Sequence, residues 1–149
     1  MDPLSITASI AGILALAGTI ISQGYACVSR VKKNGGDIEV MLNEVACFSG
    51  ILASLKGLYS AMNKSPRPLH WLTRDHETIW QDSMKDCEKT LKELKDIVGS
   101  LASANVIHLM VKGGSMAVRV EKLTSKIERF KSFFVLCLQL QSKSVTCLA

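Results

Sequence analysis

Charge is missing from the start of this chain. Pro3 to Ser29 are 27 consecutive positions without a charged side chain, in a sequence that is otherwise richly charged. Only Asp2 precedes the run, and Arg30, Lys32 and Lys33 follow it directly. A helix of that length reaches about 40 Å, and a bilayer core needs about 30 Å, so the segment suits a buried bundle core or a membrane. Aromatics are scarce at 5% and prolines number three. What remains is dominated by Leu, Ile, Val, Ala, Lys and Glu, a helical palette, and no alternating strand pattern stands out. The 149 residues, 48% of them hydrophobic, suit one domain with a proper core.

Catalytic patterns are equally sparse. His70, His76 and His108 are scattered, with no HExxH and no Cys–His spacing. The five cysteines (Cys27, Cys47, Cys87, Cys137 and Cys147) are odd in number and too far apart for a metal knuckle or redox pair. Most fall at apolar helical positions, which points to a reduced, intracellular protein. Gly113-Gly114-Ser115 lacks the lysine and preceding strand of a phosphate loop and reads as a helix cap. The expectation is no enzyme, no metal and no cofactor. A secretory leader is not expected either: the first residues carry no positive charge, and the apolar run continues past the Ala15-Leu16-Ala17 cleavage-like site.

Four helical segments emerge, over about 3–31, 37–62, 74–102 and 116–140. Asp2 caps the first and Pro3 suits its opening turn. Asn34-Gly35-Gly36 is a stop and turn. In the second, Ile38, Met41, Val45, Phe48, Leu52, Leu55, Tyr59 and Met62 step by three and four without a break. Trp80, Met84, Cys87, Leu91, Leu94, Val98 and Leu101 do the same in the third, whose other faces are charged. Val120, Leu123, Ile127, Phe130, Phe134 and Cys137 form the seam of the fourth. Val106–Val111 fits a turn of helix or an extended plug, with Gly113-Gly114 breaking it and Ser115 capping the next helix. Three seamed helices need a fourth element between them, and the uncharged first helix is the candidate. The predicted fold is all-α: a single-domain four-helix bundle with a long, largely buried N-terminal helix.

Gly12, Gly18 and Gly24 interrupt the first helix, with small-xxx-small pairs at Ala8–Gly12, Ala11–Ala15 and Gly18–Ser22. Such pairs let helices approach closely in lipid or in a tight core. Each glycine costs about 1 kcal/mol relative to alanine, so the element is easier to release. The net charge of +5 comes from the last third, where seven basic groups oppose Glu121 and Glu128. Arg119, Lys122, Lys126 and Arg129 make a basic row beside the fourth seam. Such a row suits a solvated face or an anionic membrane, and nucleic acid is not expected without interleaved aromatics.

The opening Met1-Asp2-Pro3-Leu4-Ser5-Ile6-Thr7-Ala8-Ser9-Ile10-Ala11-Gly12 resembles the N-terminal domain of fungal STAND proteins, relatives of the NOD-like receptors, known as the HeLo-like domain. The likeness continues through Ile20–Tyr25, Leu42–Ala46 and Ile127–Lys131. Members often have Trp-Pro entering the fourth helix, where this chain has Gly113-Gly114. The resemblance implies a helical bundle similar to the HeLo domain of heterokaryon incompatibility proteins and, more distantly, to the executioner domain of the mammalian necroptosis pseudokinase. It implies a programmed-cell-death effector that is released by a sensor, oligomerises and perturbs the plasma membrane through its N-terminal helix. A NOD-like receptor module upstream or downstream is the expected partner, with the chain either an excised domain or a stand-alone relative.

The site residues follow. Leu4, Ile6, Ile10, Ile13 and Leu14 are expected to enter the membrane, while Arg119, Lys122, Lys126 and Arg129 hold anionic lipid. The protein is expected to rest in the cytoplasm with its first helix sheathed by the other three, then to relocate to the plasma membrane as a homo-oligomer. The alternatives are a soluble helical adaptor in a NOD-like receptor pathway and, last, a small-ligand carrier with an apolar pocket beside the first helix.

Overall fold

Each apolar seam folds into a helix that hides it. The computed structural model describes residues 3–28, 35–63, 74–103 and 106–147, with side chains described over 5–28, 38–61, 78–101 and 118–140. Four helices account for the described chain: α1 (Pro3–Val28), α2 (Gly35–Asn63), α3 (Arg74–Ser103) and α4 (Val106–Cys147). No strand occurs among the described residues. Every described seam residue predicted for α2 and α3 is buried, and α4 buries Val120, Leu123, Ile127, Phe134 and Cys137 while Phe130 lies half-buried.

The start of α4 differs from expectation. Gly113 and Gly114 do not break the chain, and Ser115 does not cap a helix; all three lie inside α4, which spans 42 residues from Val106 to Cys147. Glycine is only a weak breaker, costing about 1 kcal/mol per residue, whereas proline costs about 3. No proline occurs anywhere in α4, so the hydrogen-bond ladder runs through. Likewise α2 takes Gly35 and Gly36 into its first turn. The predicted Asp2 cap lies outside the described residues.

The helices meet in a ring. α1 packs on α2 and α3, and α4 packs on α2 and α3, while among the described residues no Cα of α1 comes within 8 Å of a Cα of α4. Tyr25 near the end of α1 donates a hydrogen bond to Asn43 near the start of α2 (3.3 Å), as an antiparallel hairpin requires. α1 and α3 run the same way: residues 8–16 line a groove with residues 81–92, and the Cys27 thiol donates to the Val98 carbonyl at 3.6 Å. Trp80, near the start of α3, meets Phe133 and Phe134 late in α4, so these two are antiparallel.

The expectation that the other three helices sheathe a largely buried α1 is therefore corrected. α1 buries one stripe, Ile6, Ile10, Ile13, Ala17, Ile20, Gly24 and Cys27, against α2 and α3. Ala8, Gly12, Ala15, Gly18, Ser22 and Gln23 face solvent on the other side. The reason is that an apolar helix free of charges contains several usable stripes, and the bulky β-branched one fills space best.

A cluster of rings ties three helices together. Phe134 of α4 meets Phe48 of α2 at 5.8 Å and Trp80 of α3 at 5.4 Å, the latter edge to face. Tyr59 lies 5.8 Å from Trp80 in the same geometry. Such pairs add about 0.5–1.5 kcal/mol beyond area burial.

One ion pair bridges α2 and α4: Lys131 Nζ donates to Glu44 Oε2 at 2.9 Å, with both side chains mostly shielded. The hydrogen bond to Glu44 raises the lysine pKa above its ordinary value. Its contribution is complete below the usual lysine range and vanishes as pH climbs through the raised value. Lys131→Met is expected to lower stability near neutral pH by about 1 kcal/mol, read from urea midpoints. In strong base, above that raised value, the variant and the parent should converge.

Candidate functional site

The residues singled out for membrane entry sit in the core. Ile6, Ile10 and Ile13 are buried along the α1 stripe, and Leu14 is half-buried beside them. Leu4 lies outside the residues whose side chains are described. In this state none of the three isoleucines reaches solvent, so they meet lipid only if α1 leaves its place. Returning Ile6, Ile10, Ile13 and Ile20 to water costs about 1.5–3 kcal/mol each. The sum, about 6–12 kcal/mol, matches the whole stability of an ordinary domain. Release therefore needs a compensating apolar phase.

The outer face of α1 makes that exchange cheaper. Ser9 donates its hydroxyl to the Ser5 carbonyl at 3.0 Å, and Thr19 donates to the Ala15 carbonyl at 3.1 Å. These polar groups are satisfied within the helix itself and carry that satisfaction into lipid, where water is unavailable. Two helices are long and apolar enough to cross a membrane by length and composition: Ser5–Val28 of α1 and Ile38–Ala61 of α2. The second was read from sequence only as a seamed core helix, and its own run of apolar residues was the available signal.

Only one glycine of α1 is required by packing. A Cβ at Gly24 would collide with the buried Leu42 side chain, which marks the closest approach of α1 and α2. At Gly12 and Gly18 a Cβ would meet nothing within 4 Å. The C-terminal end of α1 is thus clasped, by the Gly24–Leu42 fit and by the Tyr25 and Cys27 hydrogen bonds. The N-terminal half is held by apolar contacts.

The basic row lies elsewhere. Arg119, Lys122 and Arg129 are exposed on α4 and Lys126 is half-buried. The two described ion pairs, Lys92–Glu88 at 3.0 Å and Lys131–Glu44, use none of the four. Because the backbones of α4 and α1 do not approach within 8 Å among the described residues, the apolar set and the basic set occupy opposite corners of the ring. Sequence reasoning missed Leu136 and Leu140 on α4, which are 55% and 50% exposed. Only their place was readable, since they continue the spacing of the basic row; their exposure was not.

Beside α1, a groove of about 710 Å³ runs between α1 and α3. Ile13, Leu16 and Met84 floor it, and Lys85, Glu88 and Lys92 stand exposed on its rim. Open along its length, it is a surface cleft rather than the enclosed cavity a small-ligand carrier needs. Burial holds the Cys87 thiol well above its ordinary pKa and pushes Cys137 up to about 11, so both behave as core hydrophobes. Among the described residues no three His, Cys, Asp or Glu side chains gather where they would hold a metal ion.

These features define a class: an all-helical, four-helix protein with two apolar helices and one basic, exposed helical edge. Comparison with known proteins adds no particular relative, for no family model, curated protein or solved structure matches this chain.

Proposed function

We propose that the protein is a non-enzymatic membrane-targeting effector of the HeLo-like class, acting in programmed cell death through its N-terminal helix. The observation that carries this reading is α1 itself. It is a charge-free helix with one core-facing isoleucine stripe and a solvent face whose Ser9 and Thr19 hydroxyls are satisfied internally. It stands at a corner of the ring, held on two sides rather than three. In the resting protein the stripe supplies core; on activation it trades α2 and α3 for acyl chains, which return the same hydrophobic free energy.

The N-terminal half leads, since the clasp at Gly24, Tyr25 and Cys27 holds the other end. Leu4, Ile6, Ile10, Ile13 and Leu14 enter lipid, and Arg119, Lys122, Lys126 and Arg129 keep the bundle on an anionic surface. Asp2 at the tip costs about 3 kcal/mol at the bilayer midplane, a cost that assembly of several copies would share. The resting location is the cytoplasm and the working one the plasma membrane, with a NOD-like receptor module as the natural upstream partner.

Leu14 provides the test, because it is half-buried whereas glutamate at the fully buried Ile10 would unfold the core. Leu14→Glu should keep its helicity by circular dichroism. Its leakage of anionic vesicles should fall about a hundredfold, the cost of one charge near the bilayer centre. A folded Leu14→Glu protein that leaks vesicles as the parent does would overturn the proposal. So would a parent that never leaks them. In that case the soluble adaptor becomes the better account, with the α1–α3 groove as its surface.

A further inference from the structure

The basic row of α4 does not end at Arg129. Continuing its steps of three and four leads to Phe133, Leu136 and Leu140, and one step further to Lys143. Over the described side chains one line along the helix is therefore basic, then apolar. From Arg119 to Arg129 is about 15 Å of axis, and from Arg129 to Leu140 about 16 Å. The fold leaves this line open: Arg119, Lys122, Arg129, Leu136 and Leu140 are all exposed. Phe133 is half-buried, with its ring 6.4 Å from Trp80 on the α3 side. Over residues 118–140 of α4 the carboxylates are Glu121 and Glu128, neither within ion-pair distance of the row. The remaining cation there, Lys131, is held by Glu44.

We propose that this line is a docking edge for an anionic lipid leaflet, used by the intact bundle before α1 moves. α4 lies in the plane of the surface. Leu136, Leu140 and the outer edge of Phe133 enter the acyl boundary, and the flanking cations reach headgroup phosphates on long aliphatic stems. The occupant follows from the charge pattern: a leaflet places anions directly above hydrocarbon, so both parts of the line are matched by one surface. An acidic protein helix matches only the basic part. This inference rests on the membrane reading above and deepens it: it shares the cationic row and adds Phe133, Leu136 and Leu140 as the part that enters lipid before α1 moves.

The test uses the full chain and phosphatidylcholine vesicles with and without phosphatidylserine. An environment-sensitive dye is placed at position 136 by Leu136→Cys, in a Cys47→Ser, Cys147→Ser background that removes the thiol exposed among the described residues and the cysteine near the C-terminus. Expected are a blue shift with anionic vesicles alone and binding that weakens with salt. In co-sedimentation, Leu136→Ser with Leu140→Ser should weaken binding at least about tenfold. Arg119→Gln and Lys122→Gln should each weaken it about fivefold. All four positions are exposed, so unchanged helicity and urea midpoints are expected throughout.

If the parent binds and leaks vesicles while the dye stays in water and the leucine variant binds unchanged, the docking edge is wrong and the α1 reading survives. If the parent binds neither vesicle, both fall. If it forms solution dimers that the leucine variant abolishes, without vesicle binding, the edge is a contact between copies and the lipid proposal is overturned.

Discussion

Phe134→Ala is expected to lower the unfolding free energy by about 3–5 kcal/mol, a large share of the stability of a domain this size. The side chain is fully buried, and its ring touches Phe48 of α2 and Trp80 of α3. Three helices therefore line the cavity that truncation leaves. Aromatic walls anchored on separate helices collapse poorly, which places the cost toward the upper end of the range for large-to-small changes. Urea unfolding followed by circular dichroism measures it. Phe130→Ala is the matched control, since Phe130 is only half-buried and should cost clearly less. Equal losses at the two positions would mean that the ring cluster is not the joint between α4 and its neighbours.

Replacing Gly12 and Gly18 together by alanine is expected to stabilise the protein by about 2 kcal/mol, from about 1 kcal/mol at each helical site. For a chain of this length that raises Tm by about 4–8 °C. Neither added methyl group meets a neighbour, because nothing lies within 4 Å of either Cβ position. Gly24→Ala is the contrast: its methyl group is driven into Leu42, and the helix-propensity gain is offset by the collision. On the membrane reading the double variant has a second consequence. A released helix in water is only marginally stable, so departure of α1 passes through a frayed state in which the alanine advantage is lost. Vesicle leakage should then slow by up to about thirtyfold at unchanged final extent, that factor being 2 kcal/mol in a rate. A more stable variant leaking at the parental rate would show that α1 leaves as an intact rod.

Much of this architecture was legible in advance because helical periodicity is local. The α3 seam from Trp80 to Leu101 is buried at every predicted position, and the α2 seam from Ile38 to Tyr59 likewise. Two failures have definite causes. Gly113-Gly114 was read as a break because glycine is unfavourable in helices, yet without a proline the penalty is too small to stop α4. α1 was expected to be hidden nearly all round because it carries no charge. Absence of charge permits full burial but does not compel it, and Ala8, Gly12 and Ala15 remain in water. For the site, the basic row was readable from spacing alone, whereas the open state of Leu136 and Leu140 was not, since a leucine has the same spacing whether a neighbouring helix covers it or not.

By itself the sequence determined four helices, the face each seamed helix turns inward, the charge-free lead and the cationic line on α4. Each follows from the 3.6-residue repeat acting over a few turns. Only the tertiary structure decided which helices are neighbours. It set α1 and α4 at opposite corners, chose the isoleucine stripe of α1 over its small-residue face, fitted Gly24 to Leu42 and paired Lys131 with Glu44. Those choices depend on how surfaces far apart in the chain fill space together, and no local repeat encodes that.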